Sequence, residues 1–324
     1  MPELTRRDWL SLTLGATGAL ALSPAELAAR PQGGQGNGVQ PRLLTRAIPS
    51  SGEMLPVIGL GSSATFSQVA RKEDVAALGE VLKALVAGGG TVFDTAPGYG
   101  ASEQVAGRIV SESGLADRLF WATKVNVARQ GPADPAAARA QIEASFQRVK
   151  KTKIDLIQVH NMGDPATQVP ILRELKAQGR IRYFGITTTF EPQYPALVET
   201  MKAEPLDFIG VDYAIDNREV ENTILPLARD RRIGVFVYAP FGRTRLFRRV
   251  GDRPLPDWAA EFDAKTWAQF FLKFVLSHPA VTVATPATSQ ARNMVDNLGG
   301  GVGRLPDDAM RKRMVAFVDA LPTA

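Results

Sequence analysis

Leu119-Phe120-Trp121-Ala122-Thr123-Lys124 and Ile154-Asp155-Leu156-Ile157-Gln158-Val159-His160 are two short apolar runs with an amphipathic stretch at 134–148 between them. Strand, helix and strand at that spacing form one crossover unit of a parallel sheet, since parallel neighbours need a long connection and a helix can cover the sheet while making it. Outward from this pair the same unit recurs. Further strands are predicted at Val57-Gly59, Thr91-Asp94, Tyr183-Thr187, Phe208-Tyr213, Gly234-Tyr238 and Val281-Thr285, with helical patterns at 73–87, 102–113, 167–178, 191–202, 219–230, 264–277 and 289–297. Eight β-then-α units predict an α/β chain closed into a (β/α)8 TIM barrel over residues 42–324. A doubly wound open sheet is the rival, but Gly59-Leu60-Gly61 lacks the third glycine of a G-x-G-x-x-G phosphate turn. Before the barrel, Arg42 to Ile48 and Met54 to Val57 flank Pro49-Ser50-Ser51-Gly52-Glu53, which predicts an N-terminal β-hairpin across the floor. Pro306 opens an extra C-terminal helix to about Val318, and Phe241 to Asp263, with little apolar periodicity, predicts a large loop over the active face.

The composition agrees with one large core: 324 residues, 45% hydrophobic and 22% charged. The net charge of +5 is spread along the chain without a run of five basic residues, so no nucleic-acid track is expected. The absence of cysteine excludes disulfides, thiolate metal sites and cysteine nucleophiles, and suits an oxidising compartment. At the N-terminus, Thr5-Arg6-Arg7-Asp8-Trp9-Leu10 precedes an uncharged Leu, Ala and Gly stretch to Leu22 and small residues at Ala28-Ala29. Residues 1–29 thus resemble a twin-arginine signal peptide, too short and too glycine-rich to span a bilayer, and 30–41 reads as a linker. The expected partner is the twin-arginine export machinery, the expected location periplasmic or otherwise exported, with folding completed first in the cytoplasm and no membrane span in the mature chain.

Barrel enzymes carry their reactive groups at the C-terminal ends of the strands. Asp94, Lys124 and His160 each end a predicted strand, and Tyr99 follows in the turn Thr95-Ala96-Pro97-Gly98-Tyr99-Gly100. Alone, each has an ordinary structural reading: a helix cap, a surface lysine, a turn aromatic, a core histidine. Together they converge on one mouth. A lysine beside a tyrosine favours the phenolate and is expected to lower the phenol's pKa from about 10, with Asp94 holding the ammonium. Tyr99 then protonates a developing alkoxide while neutral His160 orients the carbonyl, so no metal is needed. His278, before the eighth strand, lies at the wrong end and is read as structural.

These residues are similar to those of the aldo-keto reductase family. The resemblance spans nearly all of 42–305 and rests on Asp94-Thr95-Ala96-Pro97-Gly98-Tyr99-Gly100-Ala101-Ser102-Glu103, Ala122-Thr123-Lys124-Val125, Asp155-Leu156-Ile157-Gln158-Val159-His160-Asn161 and Gly179-Arg180-Ile181-Arg182-Tyr183-Phe184-Gly185-Ile186. It implies reduction of an aldehyde or ketone by hydride from a nicotinamide cofactor, with Tyr99 as proton donor, Lys124 and Asp94 as its tuners and His160 orienting the carbonyl. It further implies that Tyr238 stacks on the nicotinamide, that Ala239-Pro240-Phe241-Gly242 wraps the pyrophosphate, and that Pro286, Thr288, Arg292, Asn293, Asp296 and Asn297 hold the adenosine end near a helix N-terminus. Thr187 and Thr188 stand where the family commonly has Ser-Asn, Gly210 where it has Gln, and Ala287 and Asn293 where many members place Lys and Arg on the 2′-phosphate. NADP (NADPH) is favoured and NAD is possible. Phe66, Trp121, Asn161 and Met162 are the candidate substrate-pocket residues, with Phe241, Phe247 and Trp258 from the long loop, a lining suited to apolar or aromatic carbonyls. The alternative is a nucleotide-binding sensor or interaction protein on the same barrel with little turnover. A metal-dependent hydrolase would need several histidines or carboxylates at strand ends, and only His160 and Asp94 stand there.

Overall fold

The structure, a computed structural model, describes residues 42–63, 65–71, 75–128 and 131–322. The signal segment at 1–29 and the linker at 30–41 lie outside the described residues. β1 (Thr45–Ala47) and β2 (Met54–Pro56) form the antiparallel hairpin. β3 (Leu60–Gly61), β4 (Val92–Asp94), β5 (Phe120–Val125), β6 (Ile154–Val159), β7 (Ile181–Thr188), β8 (Phe208–Asp212), β9 (Gly234–Tyr238) and β10 (Val283–Ala284) follow as one parallel sheet in sequence order. Ile58 bridges to Ala284 and Gly61 to Ala287, so the first and last strands meet and the sheet closes. The first strand sits a little later than its predicted Val57-Gly59, because Val57 and Gly59 are engaged by Ala284 in the closing seam.

The helices are α1 (Thr65–Arg71), α2 (Val75–Ala87), α3 (Ser102–Glu112), α4 (Pro135–Val149), α5 (Pro165–Ala177), α6 (Tyr194–Ala203), α7 (Ile224–Asp230), α8 (Arg245–Val250), α9 (Trp267–Ser277), α10 (Ala291–Gly299) and α11 (Asp308–Asp319). Their starts are written in the sequence. Asp134 and Asp164 cap α4 and α5 just ahead of Pro135 and Pro165, Thr266 caps α9, and Asp307 caps α11, each side-chain oxygen accepting a backbone N–H of the first turn. The stretch 241–263 is not the irregular loop expected: it folds α8 and a 3-10 turn at Asp257–Phe262, whose Trp258 packs on Phe262, Phe270 and Phe317 and faces away from the mouth.

Side chains alternate across a strand, so each barrel strand divides between the interior and the helical layer. Phe120, Ala122, Leu156, Tyr183, Phe208, Phe236 and Val283 fill the barrel interior, with Ile48 and Leu55 of the hairpin floor joining them. Phe120, Phe208 and Phe236 pack ring on ring, 5.2 Å between the last two centroids. Trp121, Val125, Ile157, Val159, Ile209 and Val211 belong to the larger core beneath the helices. With the lower barrel sealed by aromatics, the next inward positions upward on β4, β5, β6, β8 and β9 are Asp94, Lys124, Gln158, Gly210 and Tyr238. The same parity that packs the core therefore delivers the polar groups to the mouth.

Candidate active site

Lys124 stands at the centre of that mouth. Its Nζ donates to Asp94 Oδ2 at 2.7 Å and to the Thr95 carbonyl at 2.9 Å, and the two side chains are only 1% and 3% exposed. Burial at this depth would ordinarily strip the lysine of its proton. The Asp94 charge and the Tyr99 phenol outweigh that cost and hold the ammonium above its usual 10.5. The ammonium also lies 5.1 Å from the centre of the Tyr99 ring and 5.0 Å from that of Tyr238.

Tyr99 is placed by the turn between β4 and α3. Its N–H donates to the Ala96 carbonyl and its own carbonyl accepts from Ser102 N, while Gly100 takes φ +58° to complete the bend. The hydroxyl then reaches 3.5 Å from His160 Nε2, with the two rings edge to face. The expectation of a lowered phenol pKa is corrected here: burial raises it, Lys124 lowers it, Asp94 raises it again, and the balance lies above the ordinary 10.0. Asp94, in contact with the ammonium, cancels much of the field that would ionise the phenol. In the free protein Tyr99 thus keeps its proton, the state a donor requires.

His160 opens the 3-10 turn His160–Met162, where its carbonyl accepts from Asn126 Nδ2 at 2.8 Å. Burial, and then Lys124, push its pKa from 6.5 down to about 3. The ring is neutral throughout the physiological range and can donate or accept at the carbonyl without bringing a charge. It follows that His160 contributes no inflection near 6.5 to the rate between pH 8 and pH 5, which steady-state pH profiles of the native protein and His160→Gln will show. A step near 6.5 that disappears in His160→Gln would contradict the geometry.

A cleft of about 480 Å³ runs from these groups along the mouth. Among the residues singled out from sequence, Asp94, Tyr99, Lys124, His160, Asn161, Thr187, Tyr238, Ala239, Pro240, Phe241 and Pro286 line it. Others do not, and strand parity gives the reason for several. Trp121 is fully buried and points into the helical layer, packing on Phe93, because it neighbours inward-facing Ala122. Phe66 is fully buried on α1 against Phe93. Thr188 points out of the barrel and bonds Gln193 and Phe190. Met162 packs against the outer core. Gly242 faces Arg245 and Asp216 rather than the cleft. Asp296 accepts from Thr266 and Gln269, and Asn297 is buried beside it on α10. Thr288 accepts from Gln290 N ahead of α10, while Arg292 and Asn293 are exposed on its first turn, Arg292 bonding Gln290. Phe247 packs against Phe241 with the rings tilted, and is not itself in the cleft lining.

Ser63, Thr189, Arg243 and Thr244 line the cleft without having been singled out from sequence, and Gly61, Thr285 and Ala287 line it beside Pro286. Thr189 was legible, being two residues past inward-facing Thr187; its hydroxyl accepts from Arg243 at 3.0 Å. Arg243 lies in a run of left-handed residues, Gly242, Arg243 and Thr244, which folds the chain after β9 back over the mouth. A dinucleotide fits this lining. The Tyr238 ring, Pro240, Phe241 and Pro286 offer apolar faces, Arg243 supplies a cation where a diphosphate would pass, and the start of α10 welcomes an anion. Among the described residues no group of three or more histidines or carboxylates is placed to hold a metal, and no helix is long and apolar enough to cross a membrane.

Residues 57–314 match the model of the aldo/keto reductase family. The chain belongs to that family. Among curated relatives it is 30% identical to aldo-keto reductase YhdN of Bacillus subtilis over 61% of this chain and 62% of that protein, and 26% identical to aldo-keto reductase str7 of Strobilurus tenacellus over 72% and 80%. The matched part spans somewhat under two thirds of the YhdN length. Among solved structures, an aldo/keto reductase of Klebsiella pneumoniae in complex with NADP and acetate superposes with TM-score 0.68 at 26% identity, covering 82% of this chain and 93% of that one. The holo form of aldo-keto reductase AKR11C1 from Bacillus halodurans gives 0.65 at 25% identity over 86% and 96%. Barrel enzymes carry their reactive groups at this end of the strands, where Asp94, Lys124, Tyr99 and His160 line the cleft.

Proposed function

We propose that this aldo-keto reductase takes hydride from NADPH to reduce an aldehyde or ketone to an alcohol, with Tyr99 giving up the proton. The observation that carries the reading is the buried Lys124–Asp94 pair, with the ammonium 5.1 Å from the phenol ring and the hydroxyl 3.5 Å from a neutral imidazole. The carbonyl oxygen is received between the Tyr99 hydroxyl and His160 Nε2. As negative charge gathers on that oxygen, the Tyr99 proton moves to it, and Lys124 stabilises the phenolate left behind. The cofactor, when bound, supplies the hydride; Tyr238 and Thr187 would hold its nicotinamide end, the backbone of 239–244 with Arg243 its diphosphate, and Pro286 with Arg292 and Asn293 its adenosine end. NADP is favoured because the Klebsiella relative is a complex with NADP. NAD remains the second choice, since Ala287 and Asn293 offer no cation and Arg292 stands alone on that turn. The substrate class that suits Phe241, Pro240 and Asn161 in the cleft lining is an apolar or aromatic carbonyl. A nucleotide-holding sensor would have no use for a phenol kept protonated beside a buried lysine. Mass spectrometry of the nucleotide that co-purifies with the folded protein tests the assignment: NADP(H) supports it, while no nucleotide and no binding at millimolar NAD(P)H would end it.

The same proposal places the enzyme outside the cytoplasm by the twin-arginine route. Its support is Arg6-Arg7, the uncharged run to Leu22 and a chain without cysteine. In the full chain fused to a reporter, Arg6→Lys with Arg7→Lys is expected to leave the protein in the cytoplasm; unimpaired export of the double variant would refute the route.

A further inference from the structure

Tyr238 does more in this chain than present a ring. Its hydroxyl donates to Asp94 Oδ1 at 3.2 Å and accepts from Gln158 Nε2 at 2.9 Å. Gln158 is fully buried on β6, paired in register with Lys124 of β5. The tyrosine reaches so far inward because position 210 has no side chain: a Cβ on Gly210 would collide with the Tyr238 ring and stand 2.9 Å from its hydroxyl. Asp94 therefore has its two oxygens shared between two donors, Lys124 on Oδ2 and Tyr238 on Oδ1.

The geometry points to Tyr238 as a positioning residue of the proton-donating machinery: held by Gln158 and admitted by Gly210, its hydroxyl holds Asp94 in place and draws off part of its charge, so that the Lys124 field acts on Tyr99. This rests on the reading of Tyr99 as proton donor. A carboxylate that gives one oxygen to a phenol binds its lysine less exclusively, and more of the ammonium's field reaches the neighbouring hydroxyl. The charged and titratable groups that face this cluster are Asp94 from β4, Lys124 from β5, His160 after β6, Arg243 from the segment after β9, and buried Glu103 of α3, which feels Lys124 but is paired with Arg148, with Tyr99 and Tyr238 themselves. His160 is neutral across the working range, which leaves the Asp94–Lys124 balance as the main electrostatic control on Tyr99, with Arg243 adding a weaker pull in the same sense as Lys124.

The test compares Tyr238→Phe, which keeps the ring, with Gln158→Leu and Gly210→Ala, reading tyrosinate absorbance during alkaline titration of the free protein and the alkaline limb of kcat/KM. Subtracting the titration of Tyr99→Phe in each background isolates the Tyr99 step. Loss of the hydroxyl is expected to move that step up by about one pH unit, the size of one hydrogen bond to a charged group. Gly210→Ala, by expelling the ring, is expected to move it in the same direction, and the Gln158→Leu, Tyr238→Phe double variant to shift it no further than Tyr238→Phe alone. An unchanged Tyr99 step in folded Tyr238→Phe would overturn the positioning role. Equal carbonyl reduction by Tyr99→Phe and the native protein would instead remove the proton-donor reading on which it stands, so the two failures are distinguishable.

Discussion

Lys124→Met is expected to cost both the fold and the reaction. With the ammonium gone, Asp94 is left buried at 3% side-chain exposure with no cation in contact. Breaking a buried pair by removing one partner typically destabilises by about 3–5 kcal/mol, since the other charge must stay uncompensated or take up a proton. The midpoint of urea unfolding should fall accordingly. The reduction rate should fall by roughly 10²–10³-fold, the usual consequence of deleting one preorganised charge or donor from the developing oxyanion. Adding Asp94→Asn to Lys124→Met separates the two effects: it removes the orphan charge and recovers much of the stability, but none of the turnover. A double variant as active as the native protein would mean that the pair is only a structural fixture of the barrel.

Tyr99→Phe is the complementary change, with little cost to the fold and a large one to the chemistry. The phenol is not part of a ladder or a cap; its polar contacts are the 3.5 Å approach to His160 and the Lys124 ammonium. The ring survives the substitution, with its edge-to-face contact to His160 and its place over the Lys124 ammonium. Removing a general acid commonly slows a reaction by about 10²–10⁴-fold, so kcat is expected to drop in that range. Nucleotide affinity, measured by fluorescence quenching, should stay within about twofold, because the dinucleotide would rest on Tyr238, the 239–244 segment and the start of α10. A rise in KM with kcat unchanged would assign Tyr99 to binding rather than to proton transfer.

How much of this was legible before the fold was known depends on the kind of signal. The barrel was readable because its evidence is periodic: every strand is a short run of apolar residues, and helix starts such as Asp134-Pro135 and Asp164-Pro165 are punctuated by their own chemistry. The convergence of Asp94, Lys124 and His160 followed from strand ends, and that of Tyr99 from the turn after Asp94. What failed was side-chain direction. Trp121 was given to the pocket because it lies near a strand end, although it alternates with inward Ala122 and must face the helices. Thr188 stands at the family's Ser-Asn position but alternates with inward Thr187, and counting by twos from Lys124 or Thr187 turns Trp121 and Thr188 outward and brings Thr189 in. The sign of the Tyr99 shift was missed because the lysine was weighed without the burial that raises the phenol and the carboxylate that offsets part of the ammonium's field. Gly210 looked like a lost contact in the sequence; in the structure it is the space that Tyr238 occupies. No periodic pattern reports an absence of that kind, which becomes visible only when two strands lie side by side.

Transfer of label from NADPH deuterated at its transferable position tests the central claim most directly, with the alcohol analysed by mass spectrometry after incubation with apolar and aromatic aldehydes and ketones. The native protein is predicted to deliver one deuterium to the former carbonyl carbon, at a rate that falls with Tyr99→Phe. A folded protein that binds the nucleotide firmly but passes no label to any of these carbonyls would contradict the account and leave the barrel a nucleotide-holding device.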